Sequence, residues 1–244
     1  DFLGLRNLTI LEQIRKSIQF THDVRLDFNQ IPLNDWKTFE LLQQGDTAGI
    51  FQLESDGMKN ALREIKPTHF LDIVAVNALY RPGPMEFIPL YARRKHKKEQ
   101  VIMPHPDLTP ILEETHGVII YQEQIMRIAN VMAGFSFGQA DLLRRAVSKK
   151  KRDVLEQQRA SFVKGALAKG YTEQVAEEVY ALIVRFADYG FPKSHAVAYS
   201  IISYHMAYLK ANYPVNFYAA LLTNATGNSD KLAQILMEAK ARGI

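Results

Sequence analysis

The residues with the clearest potential for chemistry are Lys193, Ser194 and His195, which place a cation, a hydroxyl and an imidazole in succession. They stand at the predicted start of a helix, where backbone N–H groups lack intrahelical partners and the helix dipole is positive. Such a position favours the binding of phosphate and other anions. The alternative is structural, with Ser194 acting only as a helix cap and His195 only as a core residue.

A second group of cations, Arg144 and Arg145, lies in the segment FGQADLLRRAV, one helical turn after Asp141. Ser136 is the predicted cap of this helix. Arginine pairs with oxygen anions through two parallel hydrogen bonds, whereas lysine acts as a point charge. Together with Lys193, these arginines suit a triphosphate or a nucleic-acid backbone.

Further basic residues indicate a polyanionic partner. Arg81 precedes the proline-glycine-proline turn of RPGPM, which would hold it rigidly at a helix end, although a solvated arginine after a plain helix stop is an equal alternative. Basic runs occupy residues 93–98 and 144–152 and include Lys149, Lys150 and Lys151. We expect the runs at 93–98 and 148–152 to touch a DNA backbone without reading bases, or to remain solvated.

The elements that would position these residues are mostly helices. The helix before Lys193 is expected to end at Gly190 in a left-handed cap, and Pro192 prevents its continuation. The helix that begins at the lysine then runs to Asn212 and stops before Pro214. Its first backbone N–H groups are expected to be unpaired.

Periodicity and capping residues over the rest of the chain predict about ten helices, so the fold class is mostly α. One or two short extended segments are expected, the best being AGIFQLE at 48–54 and the apolar stretch before Gln122. The single tryptophan, Trp36, is expected in the core. There is no internal repeat and no low-complexity linker.

Composition narrows the function classes. The chain has 244 residues, 47% of them hydrophobic, so it can bury a substantial core. It has no cysteine, which excludes disulfides, thiolate metal sites and cysteine nucleophiles and is compatible with a cytoplasmic location. No apolar run is long enough to span a membrane and no signal peptide is recognisable, so no membrane partner is expected. Both ends read as cuts through a longer polypeptide.

The common catalytic motifs are absent. The sequence contains no GxxxxGK[ST], no GxGxxG behind a strand, no HExxH and no GxSxG. Catalysis by this chain therefore needs a partner domain or does not occur.

Six segments, in the same order, resemble the alpha subunits of bacterial replicative DNA polymerase III, the C-family polymerases. The segments are DFLGLRNLTI (1–10), GIFQLES (49–55), NALYRPGPM (77–85), YQEQIMRIA (121–129), DLLRRAVSKKK (141–151) and FADYGFPKSHAVAYS (186–200). The resemblance implies the end of a palm domain at 1–10 and a helical fingers domain at 11–244, truncated on its C-terminal side. It also implies that most of the palm and the clamp-binding parts lie outside the chain.

The same resemblance implies roles for individual residues. Asp1 matches one of the palm aspartates that hold Mg²⁺ for nucleotidyl transfer, and it is thus the implied catalytic and metal residue. Arg144 and Arg145 match residues that meet the incoming deoxynucleoside triphosphate, with residues 193–195 beside it. Pro192 departs from the asparagine of many members. The DNA contacts are predicted from charge and position instead, and they are Arg81, Lys149, Lys150 and Lys151.

The resemblance implies a DNA-directed DNA polymerase as the whole subunit, with the chain inactive alone. Its expected partners are primer–template DNA, deoxynucleotides and, through regions outside the chain, a sliding clamp and other replisome subunits. The alternative is a helical nucleic-acid-binding or scaffolding module without a nucleotide pocket. Convergence of Arg144 and Arg145 with residues 193–195 on one surface would separate the two hypotheses.

Overall fold

A computed structural model describes residues 4–148, 152–187 and 189–244. Within these residues the chain forms thirteen α-helices and no strand, which confirms the mostly α class. The helices are α1 (Arg6–His22), α2 (Trp36–Gln44), α3 (Asp56–Ile65), α4 (Phe70–Leu79), α5 (Ile88–Lys95), α6 (Thr109–Leu112), α7 (Gln122–Ala133), α8 (Phe137–Ser148), α9 (Arg152–Ala168), α10 (Glu173–Ala187), α11 (Lys193–Asn212), α12 (Pro214–Asn224) and α13 (Ser229–Ala241). Short 3-10 turns cover Phe28–Gln30, Pro84–Phe87, Pro106–Leu108 and Glu113–Thr115.

The chain divides into two compact units, whose boundaries fall within α4 and α11. One unit combines residues 1–73 with 198–244, and the other comprises Val74–Val197. This division differs from the predicted one at residue 10, which stays a prediction because Asp1, Phe2 and Leu3 lie outside the described residues.

Local capping chemistry explains where the helices of the first unit begin and end. The Asp35 carboxylate accepts a hydrogen bond from the Thr38 N–H at the start of α2, and the Ser55 hydroxyl accepts one from the Met58 N–H at the start of α3. Gly45 ends α2 in the left-handed conformation. These caps set both ends of α2 and the beginning of α3.

A buried lysine organises the centre of the first unit. The ammonium of Lys210 contacts carboxylate oxygens of Asp46, at 3.2 Å, and Glu238, and it donates to the Ala48 carbonyl at 2.9 Å. Burial lowers the pKa of Lys210, although the hydrogen bond to Glu238 acts in the opposite direction. Because every such partner comes from a distant segment, this ammonium ties α11, α13 and the loop after α2 together.

Two expectations about the first unit are wrong. Residues 48–54 form consecutive turns instead of a strand, with Gly49 at φ 76° and Gln52 at φ 60°. A short apolar run can bury its side chains as a strand or as turns, so the hydrophobic pattern alone does not distinguish the two conformations. Trp36 is 66% exposed because it is the first residue of α2 and the buried face of that helix begins at Thr38.

The second unit is built around α7, against which α6, α8, α9 and α10 pack. The buried face of α7 includes Ile125, Ile128 and Met132. The buried amide of Gln124 fixes the beginning of the helix, because its oxygen accepts from the N–H groups of Ile120 and Tyr121 at 2.9 and 3.0 Å. The expected strand before Gln122 is reduced to a single parallel bridge between Tyr121 and Phe191.

Candidate nucleotide and nucleic-acid site

All described candidate site residues belong to the second unit. Asp1 and the lysines at 149, 150 and 151 lie outside the described residues, so their predicted roles stay predictions. The remaining candidates are Arg81, Arg144, Arg145, Lys193, Ser194 and His195.

The loop of residues 189–192 leads into α11 and is held by the first turn of α7. The Phe191 N–H donates to the Ile120 carbonyl, and the Gln122 N–H donates to the Phe191 carbonyl, both at 3.0 Å. The Gln122 side chain also donates to the Gly190 carbonyl at 3.0 Å. The chain entering α11 therefore has a backbone conformation fixed by contacts with a helix some seventy residues earlier.

Gly190 does not form the expected left-handed cap, because its φ lies outside the positive region. Its small size matters for packing instead. A Cβ at this position would lie 3.3 Å from the Gln122 Cγ and 3.3 Å from the Ile125 Cδ1. The absence of a side chain allows the loop to approach α7 closely.

The start of α11 carries the three adjacent candidates. Ser194 and His195 are exposed on its first turn, and the His195 ring meets Phe191 edge to face, with the ring centroids 5.3 Å apart. Exposure excludes the core role that was the alternative for His195. Both side chains lie where a bound anion could reach them.

The prediction that the first N–H groups of α11 are unpaired is wrong at Lys193. Its backbone N–H donates to both oxygens of the Glu123 carboxylate, at 3.1 and 3.0 Å. A carboxylate at a helix N-terminus is favoured by the helix dipole. Glu123 therefore anchors the start of α11 on the first turn of α7.

The side chain of Lys193 also has a carboxylate partner. Its ammonium lies 2.7 Å from each oxygen of Glu114 and 5.4 Å from the centroid of the Tyr121 ring. Sequence reasoning missed Glu114 and Glu123. No local pattern indicates them, because they precede Lys193 by 79 and 70 residues.

The two arginines of α8 share one partner, as the spacing predicted. An Asp141 oxygen lies 2.7 Å from the Arg144 Nη2, and the other lies 2.8 Å from the Arg145 Nε. The hydrogen bond from Arg144 is the main cause of the lowered pKa of Asp141. The side chain of Arg145 is 62% exposed and that of Arg144 only 20%, so Arg145 is the more accessible cation.

Arg81 lies against the same loop that leads into α11. Its Nε donates to the Ala78 carbonyl at 2.9 Å and its Nη2 donates to the Tyr189 carbonyl at 2.8 Å. The guanidinium also lies over the Phe191 ring, 4.3 Å from its centroid. Burial lowers the pKa of Arg81. These contacts give the arginine a role in fixing the loop, and its predicted contact with DNA stays a prediction.

The basic run at 93–98 is partly neutralised within the protein. Arg93 and Arg94 donate to the two oxygens of Glu99 at 2.9 and 3.2 Å, and Arg94 also lies near the His116 and Gly117 carbonyls.

Among the residues that the structure describes, no group of three histidine, aspartate or glutamate side chains could hold a metal ion. Nor is any helix in the described ranges long and apolar enough to cross a membrane.

Comparison with known proteins decides the family. The model of the bacterial DNA polymerase III alpha subunit finger domain matches residues 7–170. The chain belongs to this family. It is 59% identical to the DNA polymerase III subunit alpha of Halalkalibacterium halodurans and, separately, 59% identical to that of Bacillus subtilis, over all 244 residues in each case. Identity to the subunit of Staphylococcus aureus strain COL is 55% over the same length.

The chain covers 22% of the length of the Halalkalibacterium and Bacillus subunits and 23% of the Staphylococcus subunit. The finger-domain match includes Arg81, Arg144 and Arg145 and ends before Lys193. The alignments to whole subunits extend through α11 and therefore include Lys193 as well.

Proposed function

We propose that the chain binds the incoming deoxynucleoside triphosphate within a replicative DNA-directed DNA polymerase. Arg144, Arg145 and Lys193 would contact the phosphates, and Ser194 and His195 would lie beside them. Charge-assisted hydrogen bonds from such residues are roughly twice as strong as neutral ones. The whole subunit would catalyse nucleotidyl transfer in the cytoplasm, with primer–template DNA, a sliding clamp and other replisome subunits as partners.

One observation carries this proposal. Glu123, in the first turn of α7, holds the backbone of Lys193, so the start of α11 is anchored at the beginning of α7. Helix α8 packs on α7 after a connection of only three residues, as in an αα-hairpin, where the second helix returns toward the start of the first. This topology supports convergence of Arg144 and Arg145 with the first turn of α11.

Nucleotide kinetics of the full-length subunit test this assignment. Loss of a charge-assisted contact costs about 1.5–3 kcal/mol, so Arg145→Ala should raise the apparent KM for nucleotide by about tenfold or more. Arg159→Ala is the matched control, since Arg159 also belongs to the second unit and pairs with Glu156 and Glu177 on the surface. An unchanged KM with weakened DNA binding would instead support the scaffolding alternative.

Catalysis would depend on Mg²⁺, as the resemblance implies for Asp1. The described residues do not form a metal cluster by themselves, so this proposal concerns Asp1 together with carboxylates from outside the chain. Magnesium would stabilise the charge that develops on the transferred phosphate. Asp1→Asn in the full-length subunit should abolish primer extension, and the chain alone should not extend a primer. Retention of full activity by the variant would remove Asp1 from the catalytic centre.

Contacts with DNA are proposed for Arg81 and for the lysines at 149, 150 and 151. Lysine-rich segments bind phosphates in a salt-sensitive and sequence-tolerant manner. The dependence of DNA affinity on salt concentration therefore measures this contribution.

A further inference from the structure

Glu114 forms an ion pair with Lys193, a residue that the proposed nucleotide site needs. It belongs to the 3-10 turn Glu113–Thr115, and each of its carboxylate oxygens lies 2.7 Å from the Lys193 ammonium. The side chain of Glu114 is 33% exposed and that of Lys193 is 32% exposed, so solvent reaches both partners. A phosphate that approaches Lys193 must therefore meet a protein anion already in place.

The turn that carries Glu114 is firmly positioned. The next residue, Thr115, is buried, and its hydroxyl donates to the Leu112 carbonyl and accepts from the Gln124 amide at 2.8 Å. The oxygen of the same Gln124 amide accepts from the Ile120 and Tyr121 N–H groups and so fixes the start of α7. The backbone next to Glu114 is thus built into the same buried hydrogen-bond network that positions the loop before α11.

We propose that Glu114 is an internal competitor for the triphosphate, which enters by displacing this carboxylate from Lys193. The inference rests on the proposed function. A lysine ammonium can contact a carboxylate or a phosphate in the same direction, but not both fully. A partly exposed ion pair is weak, so a ligand that also contacts the α8 arginines can displace it. Displacement of Glu114 costs the same free energy for every anion that uses Lys193, so Glu114 would raise the concentration of triphosphate needed to fill the site.

The test compares Glu114→Gln with the wild type in full-length subunit. The glutamine keeps the size of the side chain and removes its charge, so the apparent KM for nucleotide should fall by roughly two- to fivefold, the range expected for an exposed ion pair. Inhibition by inorganic tripolyphosphate should strengthen by a similar factor. Glu113→Gln is the matched control, because Glu113 is an exposed neighbour on the same turn. Glu114→Ala, checked by thermal unfolding, should reproduce the effect.

Lys193→Ala separates failure of this inference from failure of the proposed function. If Lys193→Ala raises the KM but Glu114→Gln leaves it unchanged or raises it, the competitor role is overturned and the nucleotide site stands. If Lys193→Ala leaves the KM unchanged, the lysine does not bind nucleotide, and both proposals lose their basis at this residue. Glu114→Gln should have no further effect when combined with Lys193→Ala, and an undiminished effect in that background would also overturn the competitor role.

Discussion

Removal of the Arg81 side chain should disturb the loop that leads into α11. In the structure this guanidinium donates to the Tyr189 carbonyl at 2.8 Å and lies 4.3 Å from the centroid of Phe191. A hydrogen bond from a charged group contributes about 1.5–3 kcal/mol. A cation–π contact contributes about 0.5–1 kcal/mol when exposed. Arg81→Ala should therefore reduce the free energy that stabilises the conformation of this loop by about 2–4 kcal/mol.

The consequence for function follows from where the loop leads. Residues 189–192 set the position of Lys193, so Arg81→Ala should raise the KM for nucleotide by about tenfold, which corresponds to 1.4 kcal/mol of that loss. Arg81→Lys keeps the charge but offers one compact donor group in place of a planar fork, so its KM should be intermediate. Primer extension by the full-length subunit at varied nucleotide concentration measures both values.

A DNA-contact role predicts a different outcome for the same variant. If Arg81 mainly binds phosphates of DNA, its removal lowers DNA affinity and reduces the salt dependence of binding, with little change in nucleotide KM. That result would refute the positioning role assigned to Arg81 from its contacts with Tyr189 and Phe191. A raised KM would confirm the positioning role, and a reduced salt dependence in the same variant would support the proposed DNA contact in addition.

Three further predictions concern packing, pH and DNA binding. A Cβ on Gly165 would lie 2.2 Å from the Ala133 carbonyl oxygen, so Gly165→Ala should destabilise the chain by about 1–3 kcal/mol in thermal unfolding. Gly138→Ala should not, because its Cβ would meet only the Ser136 Oγ, at an ordinary contact distance of 4.0 Å. Burial lowers the pKa of His205, so below about pH 6.5 the unfolded state binds more protons than the folded state. The free energy of unfolding should therefore fall as the pH drops below about 6.5, and His205→Gln should flatten this dependence. Neutralising residues 149–151 should reduce the salt dependence of DNA binding without changing sequence preference.

Local chemistry in the sequence predicted most of the helical framework. The caps at Asp35 and Ser55 and the terminating Gly45 follow from side chains that act within one turn of their own position. The pairing of Asp141 with the arginines of α8 has the same short range. These features were predictable because each depends on neighbours in the sequence.

The contacts that shape the candidate site were not predictable in the same way. The carboxylate partners of Lys193 come from α7 and from the turn before it, and one of the two carbonyl partners of Arg81, that of Tyr189, is 108 residues away. Such contacts depend on how helices pack, which periodicity does not specify. The turns at 48–54 were not predictable for a different reason. A short apolar segment contains too few residues for its hydrophobic period to distinguish a strand from a turn.

The most direct test of the central claim is the nucleotide dissociation constant of the full-length subunit on primer–template DNA. Single-turnover primer extension separates this constant from the rate of chemistry. Arg145→Ala and Lys193→Ala should each raise it by about tenfold or more, the scale of a lost charge-assisted contact, while the affinity for primer–template stays unchanged. A dissociation constant equal to that of the wild type in both variants would contradict the proposal that α8 and the start of α11 hold the triphosphate.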